Sequence, residues 1–402
     1  MKKCKMLILL AIVFQITTGC NGQQKSEMSS SSRSLKKVGG GCDGCDEMYI
    51  GMPENMTAAD TSLGWFDKAQ KLMLTGTVFK LDGQTPAPDV IIYYYQTDET
   101  GYYPKREGLD KGVNNHGSIR GWVKTDQNGK YSIYTTRPAP YPDRSSPAHI
   151  HVLIREPDID NEYFIDDLVF DDDPLVFAQK KIRPFENRGG SGILRTLVSG
   201  DLQIAEHNFI LGLNIPDYPE TLDKEKVSGL PIGETSPSFM PYHAWGPDRG
   251  TKTCPICKYG RYHGIVYFVG NNTNWEDIKQ WLLYLEKESV KRHKYLKVFF
   301  VYGNEHGYSR PNRIKELEQV GKELEIKNTA LTFVPSFSDS ETEVNPYKIN
   351  PSVENTFIVY RHRDIIDKFI ALKPTVENFH LISQTLDQTQ SEFFDLKETW
   401  DN

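Results

Sequence analysis

The chain changes rhythm once, and that change constrains its fold more than any other feature. From Leu72 onward, short runs of β-branched and aromatic residues recur, each closed by a turn: "LMLTGTVFKL", "VIIYYYQTD", the runs either side of "DQNGK", "AHIHVLIREP" and "LVSGDLQIAEHNFIL". Short strands at this spacing predict an all-β sandwich or barrel-like domain. Asn128-Gly129, between two of the runs, is a strong hairpin signal. Beyond His263 the pattern is different. Continuous apolar runs, "HGIVYFVG" and "LKVFFVYG", alternate with amphipathic "WEDIKQWLLYLEKES" and "PNRIKELEQVGKELE". "ALTFVPS", the hairpin-like "NTFIVYRHRDIIDKFIAL" and a last helix near "TVENFHLISQTL" follow. Such alternation means βαβ units and an α/β sheet covered on both faces.

The 402 residues exceed what one core usually holds. The sequence therefore predicts two domains, a β-sandwich over 46–215 and an α/β domain over 253–390. Residues 216–252, rich in proline and glycine, read as the linker between them. Residues 1–20 have a basic start, a short apolar core and small residues up to Cys20. That run is too short to cross a bilayer and reads as a signal peptide. Its "TTGC" end resembles a bacterial lipoprotein cleavage site, which makes Cys20 the expected lipidated residue; a plain secretory signal is the alternative. Residues 21–45, polar and rich in Ser and Gly, read as a flexible tether carrying a Cys-x-x-Cys. The expected location is the bacterial cell envelope, lipid-anchored and outside the cytoplasm.

Net charge is -7, with acidic and basic residues mixed along the chain. That argues against a nucleic-acid partner, which calls for a basic stripe. Of the six cysteines, Cys42 and Cys45 form one close pair and Cys254 and Cys257 another. In an oxidising compartment the default is a disulfide within each pair. A redox pair is the sharper reading, and half of a zinc site the weakest, because the two pairs lack zinc-ribbon spacing.

The chemistry concentrates in "PYPDRSSPAHIHV", residues 140–152. On a strand, His149 and His151 project from one face, roughly 7 Å apart along the strand, while Ile150 and Val152 enter the core. Two such imidazoles can converge on one ion, although a lone His-x-His is more often an ordinary surface or core feature. Tyr141, between two prolines that stiffen its backbone, can be held near the strand entry. Tyr102 and Tyr103 lie at the tip of "TDETGYY".

Together with "LTGTVFKLDGQTPAPDVIIYYYQTDETGYY" and "GWVKTDQNGKYSIYTTRPAPYP", the "PAHIHV" block resembles the intradiol ring-cleavage dioxygenases, the family of protocatechuate 3,4-dioxygenase and catechol 1,2-dioxygenase. The resemblance implies a mononuclear non-haem Fe(III) held by two tyrosinates and two histidines, here Tyr103, Tyr141, His149 and His151, with Tyr102 the alternative to Tyr103. It implies a catecholic substrate and O2 as partners, and Tyr103 as a tyrosinate that takes up a substrate proton. Phenolate is a hard anion suited to ferric iron. The family's arginine three residues before the first histidine is Ser146 here, and Arg144 is the candidate for its catalytic role.

The second domain resembles a thioredoxin-like fold, but the usual redox position is "GNNTNWED", without cysteine. A binding or structural role is therefore expected ahead of thiol chemistry. "DDLVFDDDP" reads as a solvated acidic turn rather than a calcium loop. His116, His207 and His243 are isolated and carry no assignment. The leading expectation is a ferric intradiol-type dioxygenase. The rivals are a non-catalytic extracytoplasmic binding protein on the same sandwich and a thiol-disulfide redox protein acting through the C-terminal domain.

Overall fold

The computed structural model describes residues 37–41, 44–182, 184–221 and 228–399. The signal peptide, Cys20, most of the tether and Cys42 lie outside them. Two sheets make the first half. One runs in the order β1 (Ala59–Thr61), β5 (Lys130–Thr136), β2 (Lys71–Phe79), β11 (Leu202–Glu206), β10 (Thr196–Ser199) and β19 (Lys397–Glu398), with β12 (Phe209–Ile210) paired to β2. The other runs β4 (Arg120–Lys124), β3 (Ile91–Gln96), β6 (His149–Arg155), β8 (Leu168–Phe170) and β9 (Ile193–Leu194), with β7 (Tyr163–Phe164) paired to β6. A nine-residue helix, α1 (Pro174–Ile182), follows β8.

The period-2 pattern decides what each face does. Ile92 and Tyr94 of β3, and Ile150, Val152 and Ile154 of β6, pack with Leu72, Leu74 and Ile133 of the first sheet in one core. Tyr93, Tyr95 and Leu153 point the other way, into a smaller cluster with Cys45 and Met48. A 3-10 turn over Cys45–Tyr49 thus covers the outer face of the sheet that carries the histidines.

The expected hairpin at Asn128-Gly129 does not form as a pair of strands. The turn itself is made, with the Gly129 amide donating to the Asp126 carbonyl at 2.9 Å. Yet β4 and β5 belong to different sheets. A tight turn fixes only the reversal of the chain. Here Val123, Tyr131 and Ile133 all enter the shared core, which buries both strands between the sheets.

The second half is a six-stranded sheet, β13 (Tyr242–Trp245), β16 (Thr329–Phe333), β15 (Leu296–Tyr302), β14 (His263–Val269), β17 (Thr356–Arg361) and β18 (Asp364–Ile370). Strands β14, β15 and β16 are parallel neighbours, whereas β17 and β18 form an antiparallel hairpin. The crossover helices α3 (Trp275–Arg292) and α4 (Arg310–Glu323) place Trp281 and Leu317 on one face, joined by Ile382 of α5 (Val376–Gln388). Successive right-handed crossovers in one direction leave their helices on the same side. The short α2 (Pro255–Tyr259), the segment around Phe239 and a 3-10 turn over Asn345–Tyr347 cover the other face.

Two features depart from a simple bead-and-linker arrangement. The segment 216–252, which reads as a linker, contributes β13, paired antiparallel with β16. The chain end then returns to the sandwich, where β19 pairs with β10. The turn between β17 and β18 is set against the sandwich by charge: Arg363 lies 3.5 Å from Asp171, His362 lies 3.2 Å from Glu206, and Asp364 pairs with Arg195 at 2.8 Å. From Lys37 onward the chain is accordingly one compact unit containing more than one core.

Candidate metal centre

Four side chains from three segments meet at one point. Tyr103 follows β3 in a turn in which the Asp98 amide donates to the Tyr102 carbonyl at 2.9 Å. Gly101 holds this turn at φ 83°, and a Cβ there would meet the Pro140 carbonyl oxygen at 2.2 Å. Only glycine lets the Tyr103 turn lie against the Tyr141 segment so closely. Beyond it, the Ala139 amide donates to the Asp98 carbonyl at 3.0 Å and ties the two loops together. His149 and His151 come from the outer face of β6.

The contacts close into a ring. The Tyr103 and Tyr141 hydroxyls are 2.8 Å apart, and the Tyr103 hydroxyl is 2.9 Å from His151 Nε2. The two Nε2 atoms are 3.1 Å apart, and His149 Nε2 is 3.3 Å from the Tyr141 hydroxyl. The opposite nitrogens fix the tautomers. His149 Nδ1 is 2.7 Å from the Pro147 carbonyl, and His151 Nδ1 is 2.7 Å from Asp167 Oδ1. A carbonyl and a carboxylate only accept, so each Nδ1 carries the proton and each Nε2 presents a lone pair. Four close contacts are then served by only two hydroxyl protons. Two facing lone pairs with no proton between them repel, and a cation bound among all four atoms relieves that.

Burial favours the neutral form of two of the four, Tyr103 and His149. Burial first, then the hydrogen bond and charge of Tyr141, push the Tyr103 phenol well above its ordinary pKa. Burial, followed by the neighbouring His151, lowers the His149 pKa, which favours the neutral imidazole a metal requires. Donors about 3 Å apart suit one ion held at roughly 2 Å from each. His149, His151 and Asp167 also form a group of potential ligands within 4.8 Å of one another. Asp167, however, engages the far edge of the His151 ring, away from the lone pairs.

The other expected site residues fall as follows. Tyr102 is 61% exposed, pointing to solvent next to the ring rather than into it. Arg144 sits at φ 55° in an exposed turn, its amide donating to the Tyr141 carbonyl at 2.8 Å. Among the described residues its guanidinium makes no hydrogen bond or ion pair, so the structure does not bring it into the four-atom cluster. Cys254 and Cys257 form a disulfide with Cα atoms 5.4 Å apart. Cys45 is also disulfide-bonded, while Cys42 lies outside the described residues.

Three features had no signal in local sequence. His116, isolated in the chain, stacks on Tyr95 at 3.7 Å, and Tyr95 stacks in turn on His151 at 4.5 Å. Glu47 accepts the amides of Asn114, Asn115 and His116 at 3.2 Å, which fastens the Cys45–Tyr49 turn to this stack. The acidic run "DDLVFDDDP" is not a solvated turn. Asp173 accepts the Ala148 amide at 2.7 Å, directly before His149, and Asp172 pairs with Arg137 at 3.0 Å. Asp166 accepts the Asn187 amide and Asp167 meets His151 Nδ1, each at 2.7 Å, so these carboxylates too have partners distant in sequence.

Residues 53–186 match the family model described as Dioxygenase, a span containing all four clustered side chains. Among solved structures, the chain is similar to the dioxygenase domain of a dioxygenase carbohydrate-binding protein fusion from Streptomyces sp. SirexAA-E. Identity is 19%, over 40% of this chain and 91% of that one, with a TM-score of 0.31. An intradiol ring-cleavage dioxygenase from Tetranychus urticae is similar at 18% identity, over 40% and 88%, with a TM-score of 0.28. For 3-chlorocatechol 1,2-dioxygenase from Rhodococcus opacus 1CP the values are 17%, 40% and 68%, and 0.29. No curated protein matches the sequence.

Proposed function

We propose a ferric, catechol-cleaving centre of the intradiol ring-cleavage type for this chain, whose residues 53–186 match the Dioxygenase family model. The observation that carries the proposal is the ring of two tyrosine hydroxyls and two facing imidazole lone pairs, closed at 2.8–3.3 Å with too few protons to serve its contacts. Tyr103, Tyr141, His149 and His151 would hold the ion, and two phenolates favour the ferric state over the ferrous. When bound, ferric iron would supply Lewis acidity and an acceptor for electron density from a catecholate, preparing the ring for dioxygen.

The chain's own residues do the rest. The Tyr103 Oη, at the point where the Tyr141 hydroxyl and His151 Nε2 converge, would take up a proton from a catechol hydroxyl. Pro147 and Asp167 hold the imidazoles in the donor tautomer. Arg144, on its exposed turn, would have to swing inward to stabilise charge on a substrate.

The expectation for a cell-envelope location rests on residues 1–20 and Cys20. Membrane fractionation of Cys20→Ser checks it: release into the soluble fraction supports a lipid anchor, and unchanged association removes it. No helix of the described residues is long and apolar enough to cross a membrane. The α/β half reads as thioredoxin-like without an oxidoreductase site. Asn274 caps the start of α3, accepting the Glu276 amide at 3.1 Å, where a redox cysteine would be expected.

Oxygen uptake over a series of substituted catechols tests the activity. The iron-loaded protein should consume oxygen with at least one catechol, and His149→Ala and His151→Ala should not. Uptake undiminished in both variants would contradict the assignment.

A further inference from the structure

The two histidines of the cluster are oriented by chemically different partners. His149 Nδ1 faces the neutral carbonyl of Pro147, whereas His151 Nδ1 faces the carboxylate of Asp167, each at 2.7 Å. We infer that Asp167 is a positioning residue that fixes His151 as the more strongly donating imidazole and sets the electron richness of the bound metal. This inference rests on the ferric reading of the four-residue ring.

The sheet places Asp167 there. In the antiparallel pairing of β6 with β8, His149 stands opposite Val169 and Ile150 opposite Leu168. Continuing that register by one residue brings Asp167 opposite His151. On the other flank, β3 pairs with β6 so that Tyr95 stands opposite His151. His151 is thus held between two neighbours of different kinds. Tyr95 lies across its ring face at 4.5 Å and 22°, fixing the ring plane. Asp167 accepts from its Nδ1 edge, fixing the rotation within that plane and the tautomer. A carboxylate behind a ligating imidazole strengthens its donation, because negative charge at Nδ1–H pushes electron density toward Nε2. His149, backed by a carbonyl, lacks that push.

The geometry also separates this role from direct ligation. Asp167 Oδ1 bonds the nitrogen that faces away from the ring of donors, while His151 Nε2 reaches the Tyr103 hydroxyl. With its side chain 43% exposed, Asp167 is not part of a core whose loss would unfold the protein.

The test compares wild type, Asp167→Asn and Asp167→Ala as full chains loaded with ferric iron. Iron affinity is measured by chelator competition, together with the wavelength of the tyrosinate-to-iron absorption. Loss of such a partner typically weakens a metal site about 10–100-fold. Asp167→Ala should fall in that range, and Asp167→Asn, which can still accept the Nδ1–H bond without the charge, should lie between it and wild type. In both variants the absorption should move to longer wavelength, since a less electron-rich ferric ion accepts charge at lower energy. Unchanged affinity and wavelength in Asp167→Ala would overturn the inference alone. So would abolished iron binding in Asp167→Asn as in Asp167→Ala, the result for a direct ligand. A wild-type protein that develops no such absorption overturns the ferric reading and the inference together.

Discussion

At the scale of single residues, two adjacent tyrosines have opposite fates. Tyr103 turns its hydroxyl to 2.8 Å from that of Tyr141, whereas Tyr102 is 61% exposed. Tyr103→Phe should therefore weaken the visible absorption of the iron-loaded protein, leaving the Tyr141 contribution, and Tyr102→Phe should leave it unchanged. Difference spectra of the two variants check this, and the reverse result would move the ligand by one position. The histidine pair was legible because a strand's period of two must put residues i and i+2 on one face. Asp167 was not, because its role depends on the register of β8 against β6, which no local pattern encodes. His116 was missed for the same reason: its stack on Tyr95 joins a loop to a strand some twenty positions away.

At the scale of elements, strand positions followed from alternation, but strand partners did not. Asn128-Gly129 makes its turn, yet the strands it joins serve different sheets, because core burial outweighs the pairing that a tight turn invites. The strand Tyr242–Trp245 was hidden by the prolines and glycines around it, and only its partner β16 identifies it. The disulfide at the start of α2 is more local. Cys254 and Cys257 are three apart, and Cys254 caps the helix by accepting the Cys257 amide at 3.1 Å. So short a loop restricts the unfolded chain little, giving about 2 kcal/mol at most in the chain-entropy model. The Cys254→Ser, Cys257→Ser double variant should lose no more than that in denaturant unfolding and keep its oxygen uptake. The wild-type protein should not reduce insulin disulfides. Insulin reduction that Cys254→Ser abolishes would give the α/β half a chemistry of its own.

At the scale of the whole molecule, the sandwich and the α/β sheet meet across buried charge, and that contact has a pH signature. Burial alone would raise the Glu206 pKa, but Arg361 and His362 more than offset it and hold the carboxyl down at about 2. A depressed carboxyl pKa stabilises the fold fully above its unfolded value, near 4.5, and loses that contribution as pH falls toward 2. The contribution at neutral pH is on the order of 3 kcal/mol. Glu206→Gln should thus be less stable than wild type at pH 7, with the gap closing between about pH 4.5 and 2; a gap independent of pH would show that charge does not hold the contact. The contrast between the first two sheets and the helix-covered third was visible in the sequence as a change of rhythm, whereas the return of β19 to the first of them was not, since a two-residue strand has no periodicity to read. The central claim remains the ring of Tyr103, Tyr141, His149 and His151, and ferric titration of the metal-free protein under visible absorption tests it most directly. The account predicts a tyrosinate-to-iron band that saturates at one equivalent of iron, with both phenol protons released, and no such band in the Tyr103→Phe, Tyr141→Phe double variant. A protein that stays colourless, or a band of equal strength in the double variant, would contradict it.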